Sequence, residues 1–256
     1  MRTRITRACP GTVAADVRRR TYSRVPAEHP PPYVGGYMLL FLSCLICLLC
    51  GCHTRRVMEA SASQQFPVAN AYRVADRLPS QIRRVAVLPL TAESTEPTLQ
   101  AGVETLEPVL RSELGKCDLF EAIFVTPEKL RQWTGRRQWM AEERLPTDFF
   151  KRLQEELGCN AVLFSRLTNF RAYAPLQTGW SLKLVEIETA SPRVDWALEE
   201  VFDAGRPAVA EDARRYARQH LSDPRPLADG AESILMSPAR FGQYSISIVF
   251  ATLPKR

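Results

Sequence analysis

Histidine and the common catalytic motifs are scarce in this sequence of 256 residues. Residues 53–256 contain only His53 and His220, which disfavours a histidine-based catalytic triad or metal site. The motifs G-x-x-x-x-G-K-[ST], G-x-G-x-x-G, G-x-S-x-G and S-x-x-K are absent. The sequence therefore lacks the motifs that commonly bind nucleotides or catalyse acyl transfer. We expect no catalytic residue, cofactor or metal.

Long apolar runs are missing as well. The longest stretch, Met38–Cys52, has fourteen uncharged residues before Cys52, fewer than the roughly 17 to 25 that span a bilayer as a helix. An apolar run of this length after a basic segment is typical of a signal-peptide h-region. Residues 1–37 are long for a signal peptide, so either the basic region is extended or translation starts nearer Met38.

Excess positive charge is also missing from most of the chain. The net charge is +6, but residues 1–37 carry seven arginines against Asp16 and Glu28, and residues 38–52 carry no charge. About +1 is left for residues 53–256. Because we expect the leader to be disordered or removed, the sequence does not predict a nucleic-acid partner.

Four of the seven cysteines lie in the apolar stretch: Cys44, Cys47, Cys50 and Cys52. Their spacing is similar to part of an iron–sulfur ligand run, but the apolar residues between them offer no turns for a cluster. The end of the stretch, Leu49-Cys50-Gly51-Cys52, resembles the lipobox of bacterial lipoproteins. That resemblance implies cleavage between Gly51 and Cys52 and lipidation of Cys52.

The remaining chain divides into a linker and one folded domain. Residues 53–80 are polar and small, which predicts a tether with one short helix near residues 71–78. Residues 81–256 are long enough for a single domain. Short apolar runs alternate there with amphipathic segments, an order that predicts an α/β (α+β) fold with a mixed sheet flanked by helices. Two of the predicted strands, Trp180–Glu188 and Val194–Phe202, form an antiparallel hairpin.

Several short sequence segments of this domain resemble periplasmic lipoproteins of the CsgG, PelC and LpoB type. They are the first strand Arg84–Leu90, the segment L-G-C-N-A-V-L-F-S-R-L-T-N-F (Leu157–Phe170), and the two hairpin strands. Cys159, Asn160 and Ser165 depart from the usual pattern. The resemblance covers roughly residues 82–255 and implies a TolB N-terminal-like fold. It implies a role in secretion, polysaccharide export or peptidoglycan synthesis.

The predicted hairpin carries two pairs of carboxylates, Glu186 with Glu188 and Glu199 with Glu200. Paired acids suit glycosidic acid–base catalysis, so a cell-wall hydrolase is the alternative function. Acids on a sheet edge more often form a solvated face that prevents aggregation. The hairpin is also the only candidate for a membrane pore, and its acids fit a lipid-facing row badly. We expect no channel.

The segment Trp133–Met140 is the most unusual surface candidate. Arginine and tryptophan are enriched in binding hot spots, so Trp133, Arg136, Arg137 and Trp139 are candidates for contact with a partner. The alternative is a loop whose tryptophans cap the core. For Cys117 and Cys159, a disulfide and two buried thiols both stay open.

Together these observations predict a non-enzymatic lipoprotein on the periplasmic side of the outer membrane. The lipid on Cys52 would hold it to the membrane. We expect it to act as an accessory or assembly factor through an envelope protein partner, with a homo-oligomer as a further alternative.

Overall fold

A mixed seven-stranded sheet forms the centre of the computed structural model, which describes residues 66–187, 191–221 and 230–256. The strands are β1 (Ala71–Arg73), β2 (Arg84–Val87), β3 (Thr91–Ala92), β4 (Glu121–Phe124), β5 (Ala161–Arg171), β6 (Gln177–Glu186) and β7 (Arg193–Asp203). Their order across the sheet is β1-β7-β6-β5-β2-β4, and β3 pairs with β5. The predicted mixed sheet is therefore confirmed.

Five α-helices flank the sheet within the described residues. They are α1 (Pro97–Lys116), α2 (Pro127–Thr134), α3 (Phe149–Leu157), α4 (Pro207–His220) and α5 (Pro238–Phe250). No described helix is both long and apolar enough to cross a bilayer. The predicted α/β architecture is confirmed.

The sheet has a parallel half and an antiparallel half. β2 lies parallel to both β4 and β5, and its residues Val85, Ala86 and Val87 are almost fully buried. An unbroken apolar run is what a strand covered on both faces requires. β5, β6 and β7 follow one another as antiparallel neighbours, so the predicted hairpin is confirmed with slightly shifted ends.

Alternate residues of β5 build two separate cores. Leu163 and Leu167 face a main cluster that includes apolar residues of α1, α4 and α5. Val162 and Phe164 face a second cluster that includes apolar residues of α2 and α3. This division follows from the period of two in a strand, and each face of the sheet therefore has its own helical cover.

Close packing holds α1 and α5 against the sheet. A Cβ on Gly102 would lie 2.6 Å from Phe170, and one on Gly242 would lie 2.2 Å from Leu106. A larger residue at either position would require Phe170 or Leu106 to move. The Trp180 indole Nε1 donates to Ser245 Oγ on α5 at 2.8 Å, with both residues buried, so the helix is also tied to β6 by a satisfied polar contact.

Capping side chains and glycines define several helix ends. The hydroxyls of Thr126 and Ser237 accept from backbone N–H groups three residues on, and each caps a helix that begins with proline. Gly135 and Gly158 end α2 and α3 with φ of 77° and 63°.

The predicted boundary of the linker at residue 80 needs correction. Residues 71–73 form strand β1 rather than a helix, and they pair antiparallel with β7. Phe66 stacks against Phe202 with ring centroids 5.7 Å apart, and Leu78 is buried. A polar composition predicted a tether, but backbone pairing and a few apolar anchors are enough to fold residues 66–80 into the domain.

Candidate functional site

Among the described residues, no helix contributes apolar cover to one end of the second face of the sheet. The second apolar cluster contains no described residue of β7 or β1. In contrast, the opposite face of the same strands is closed by the main cluster, which includes Leu198 and Trp196. The uncovered end is therefore a surface on which β7 and β1 present side chains to solvent.

Exposed apolar side chains are concentrated at this edge. Tyr72, Val74 and Val194 are 57%, 48% and 37% exposed, and they are three of the five large apolar residues exposed in the described part of the chain. The Val74 N–H donates to the Asp195 carbonyl at 3.0 Å, which continues the pairing of β1 with β7. We call these three side chains the edge patch. Apolar groups gathered at one place are typical of an interaction surface.

The register places two basic residues beside the edge patch. Tyr72 pairs with Ala197, Ala197 with Lys183, and Lys183 with Phe164. Directly paired side chains point to the same face, so Lys183 and Tyr72 are on one face, separated by a single strand. Arg166, two residues after Phe164 on β5, shares that face. We call Arg166 and Lys183 the basic pair.

A carboxylate from the loop between α2 and α3 contacts the basic pair. Lys183 Nζ lies 2.5 Å from Glu142 Oε1, and Arg166 Nη1 lies 3.5 Å from Glu142 Oε2. Partial burial raises the pKa of Glu142, but the hydrogen bond from Lys183 and the two positive charges outweigh this and hold the pKa below its ordinary value. Glu142 is therefore ionised at neutral pH.

The four residues predicted as a surface contact differ in their exposure, although the Arg136 guanidinium lies 4.3 Å from the centre of the Trp139 ring. Trp139 is only 8% exposed and belongs to the second cluster, and its Nε1 donates to Thr134 Oγ1 at 2.8 Å. Trp133 is half-buried and donates to Glu156 at 3.0 Å. Arg136 and Arg137 are exposed. Trp139 thus caps the core, and contact between the two arginines and a partner stays a prediction.

The predicted acidic pairs do not form one cluster of exposed carboxylates. Glu186 and Asp195 are 3% and 2% exposed, and Arg193 pairs with them at 2.6 and 3.0 Å. The expectation of a solvated acidic face was wrong for Glu186. Glu199 is exposed, while Glu200 accepts from the Ala69 N–H at 3.2 Å. Glu188 lies outside the described residues.

The two described cysteines are free thiols, so the disulfide alternative was wrong. Burial, together with nearby Glu113, raises the pKa of the Cys117 thiol to about 11, and burial raises that of Cys159 as well. Neither microenvironment produces a reactive thiolate.

The one described histidine, His220, stacks on Tyr216 with ring centroids 4.5 Å apart. Residues 66–187, 191–221 and 230–256 contain no group of three acidic, histidine or cysteine residues that could hold a metal ion.

The predicted lipidation and cleavage residues, Cys52 and Gly51, lie outside the described residues. The first described residue, Phe66, is fixed to the domain because its N–H donates to Asp212 Oδ2 at 3.0 Å. Thirteen residues separate it from Cys52. At roughly 3.5 Å per residue they span at most about 50 Å, so an anchor at Cys52 would keep the domain close to a membrane.

Sequence reasoning missed the edge patch because Tyr72 and Val74 were assigned to the linker, away from Val194 in the hairpin. Ala71-Tyr72-Arg73-Val74 contains an aromatic and a β-branched residue at alternate positions, a weak indication of a strand. The largely polar residues around it gave no indication of which β-strand it would pair with. That pairing depends on the fold of β5, β6 and β7.

Comparisons with known proteins give structural likeness only. No protein-family model matches the sequence, and no curated protein matches it. The PelC dodecamer from Paraburkholderia phytofirmans is 12% identical with a TM-score of 0.37, over 73% of this chain and 96% of that one. Lipoprotein GNA1162 from Neisseria meningitidis is 13% identical with a TM-score of 0.32, over 47% and 79%.

The LpoB C-terminal domain from Salmonella enterica is 16% identical with a TM-score of 0.30, over 47% of this chain and 82% of that one. All three TM-scores are below 0.5 and all three identities are below 25%. These likenesses carry no argument about what the chain does, which has to be inferred from its own residues.

Proposed function

We propose that the protein is a non-enzymatic, lipid-anchored periplasmic factor that binds a protein partner in the cell envelope. The observation that carries the proposal is the edge patch on the uncovered end of the sheet, where Tyr72 and Val74 are about half exposed. A monomeric domain rarely leaves apolar side chains together on an open sheet surface without a contact to make. The resemblance to envelope lipoproteins suggests secretion, polysaccharide export or peptidoglycan synthesis as the pathway.

The lipobox-like sequence Leu49–Cys52 supports the proposed location. It ends an uncharged apolar run that follows a basic leader, the arrangement of a bacterial signal peptide. A lipid on Cys52 and the short connection to Phe66 would hold the domain at the periplasmic side of the outer membrane. There the edge patch would meet partners that are themselves confined to the envelope.

The hairpin supports a binding role rather than a pore. β6 and β7 have ten and eleven residues, which is long enough for membrane strands. However, the apolar row that a lipid face would need is buried against α4 and α5; it includes Trp180, Leu182, Leu184, Trp196 and Leu198. Because this row belongs to the core of the domain, we propose that the protein forms no channel of its own.

The burial of Glu186 does not favour the alternative function as a cell-wall hydrolase. A general acid or base must reach its substrate, and Glu186 is 3% exposed and paired with Arg193. Buried, paired carboxylates of this kind stabilise a fold. We therefore propose a contact function and no catalytic residue.

Affinity capture with matched variants tests the proposal. The full-length chain and its Tyr72→Ser, Val74→Ser double variant are used to capture proteins from detergent-solubilised envelopes of the producing cells. Loss of two apolar contacts from an interface centre is expected to reduce recovery of a specific envelope protein about tenfold. The captured species identifies the partner, including a second copy of the chain.

A second double variant, Tyr173→Ser with Met236→Ser, is the control. These residues are 83% and 79% exposed, so the same apolar-to-polar change is made away from the edge patch. Recovery should equal that of the unchanged chain. Equal recovery with all three proteins would contradict the proposed contact surface.

A further inference from the structure

Arg166 and Lys183 converge on one carboxylate from different strands. Their strands β5 and β6 are neighbours, and Arg166 pairs in register with Ser181, two residues before Lys183. Lys183 contacts one oxygen of Glu142 at 2.5 Å, and Arg166 approaches the other at 3.5 Å. The basic pair therefore already forms a site shaped for a carboxylate group.

Glu142 satisfies this site only in part. Arg166 Nε is buried and has no hydrogen-bond partner among the described residues, and Arg166 Nη2 reaches Ser181 Oγ only at 3.5 Å. A guanidinium group can donate two parallel hydrogen bonds to one carboxylate. Glu142 engages it through a single long contact, so a better placed carboxylate would gain hydrogen bonds that Glu142 does not make.

Glu142 is also easy to displace. It lies in the loop between α2 and α3, and its side chain is 45% exposed. Ion pairs with this much exposure contribute little to stability. With Glu142 in place, the formal charge of the site is +1, and without it Arg166 and Lys183 leave a charge of +2. The electrostatic attraction for an incoming anion therefore rises when Glu142 leaves.

We propose that the basic pair binds a carboxylate side chain of the protein partner, and that Glu142 occupies this site in the free protein. The inference rests on the proposed function and names the chemistry of the partner. Lys183 and Tyr72 are separated by one strand, which places their backbones roughly 10 Å apart. An extended partner segment spans this distance with an acidic and an apolar residue about three positions apart.

Acetate titration of the Glu142→Ala variant tests the site without any partner. The full-length chain is purified in non-ionic detergent, and ionic strength is held constant with chloride. The ¹⁵N signal of Arg166 Nε–H reports binding directly. Removal of the internal competitor is expected to lower the half-saturating acetate concentration at least about fivefold relative to the unchanged chain.

Three further variants separate the effect of charge from an effect on folding. Glu143→Ala changes the neighbouring loop residue, which pairs with Arg136 at 2.8 Å instead of the basic pair, and should leave acetate binding unchanged. Adding Lys183→Met to Glu142→Ala should abolish the gain. Glu142→Gln, which keeps the shape of the side chain, serves if the alanine variant unfolds.

Equal half-saturation in the unchanged chain and in Glu142→Ala would overturn the proposal, as would a gain that survives Lys183→Met. Inorganic phosphate that binds at least tenfold more tightly than acetate would overturn the assignment of a carboxylate. Because this titration needs no partner, its failure leaves the capture experiment unaffected, and failure of capture leaves the carboxylate site unaffected.

Discussion

Replacement of Cys52 by serine should abolish attachment of the lipid to the protein. A thioether-linked lipid needs the Cys52 sulfur, and serine offers none, so a palmitate analogue should no longer label the chain. Several acyl chains hold a lipoprotein firmly to a membrane. After fractionation, we expect nearly all of the unchanged protein with the membranes and the Cys52→Ser variant without lipid label.

Cys50→Ser is the matched control because it alters a cysteine two residues away in the same apolar stretch. It should keep both the label and the membrane location, since serine is a small residue suited to that lipobox position. Lipid label that persists in Cys52→Ser would show that another residue carries the lipid and would remove the proposed anchor.

Replacement of Asp212 by alanine should cause the largest loss of stability among single side-chain changes at polar positions of the domain. Asp212 is 4% exposed. Its Oδ2 accepts from the Phe66 N–H and from the Tyr244 hydroxyl, each at 3.0 Å, and its Oδ1 pairs with Arg215. Removing one partner of a buried charged network costs about 3 kcal/mol or more, because desolvated donors lose their acceptor.

Urea unfolding measures this effect as a lower midpoint with an unchanged slope. The control is Glu211→Ala, the preceding residue, whose exposed carboxylate pairs with Arg214 and Arg218 at the surface. We expect the control to lose no more than about 0.5 kcal/mol. Similar, small losses for the two variants would show that Asp212 does not hold Phe66 and α5 together.

Local sequence patterns were sufficient to predict most helices and strands of the domain. The buried run Val85–Val87 predicted a strand, and Thr126 and Ser237 marked helix starts that their hydroxyls do cap. In α5, the apolar residues Tyr244, Ile246 and Ile248 alternate as they would in a strand. That alternation reflects burial on nearly every side of the helix, where neither a period of two nor one of 3.6 can be read.

Contacts between distant segments were not predictable in the same way. β1 has only three residues, and its pairing depends on β7, more than a hundred residues later. The ion pairs of Arg193 with the buried carboxylates Glu186 and Asp195 form only because the hairpin folds back on itself. Glu186 alone suggested a solvated face or a catalytic acid, since sequence shows a charge but not the partner that allows its burial.

The candidate site shows the same limit. Arg166, Lys183 and Glu142 are far apart in sequence and unremarkable singly, and they meet because β5 and β6 pair beneath the loop between α2 and α3. The segment with Trp133 and Trp139 was predicted to contact a partner because it is rich in arginine and tryptophan. Much of that composition serves the second core, which buries Trp139.

Photo-crosslinking from position 72 tests the central claim most directly. A photoreactive phenylalanine analogue replaces Tyr72 in the otherwise unchanged, lipidated chain, and a second protein carries it at Tyr173, which is 83% exposed and distant in sequence from the edge patch. After irradiation of intact producing cells, the proposed function predicts one specific envelope-protein adduct from position 72 and none from position 173. The absence of an adduct from position 72, or the same adducts from both positions, would contradict it.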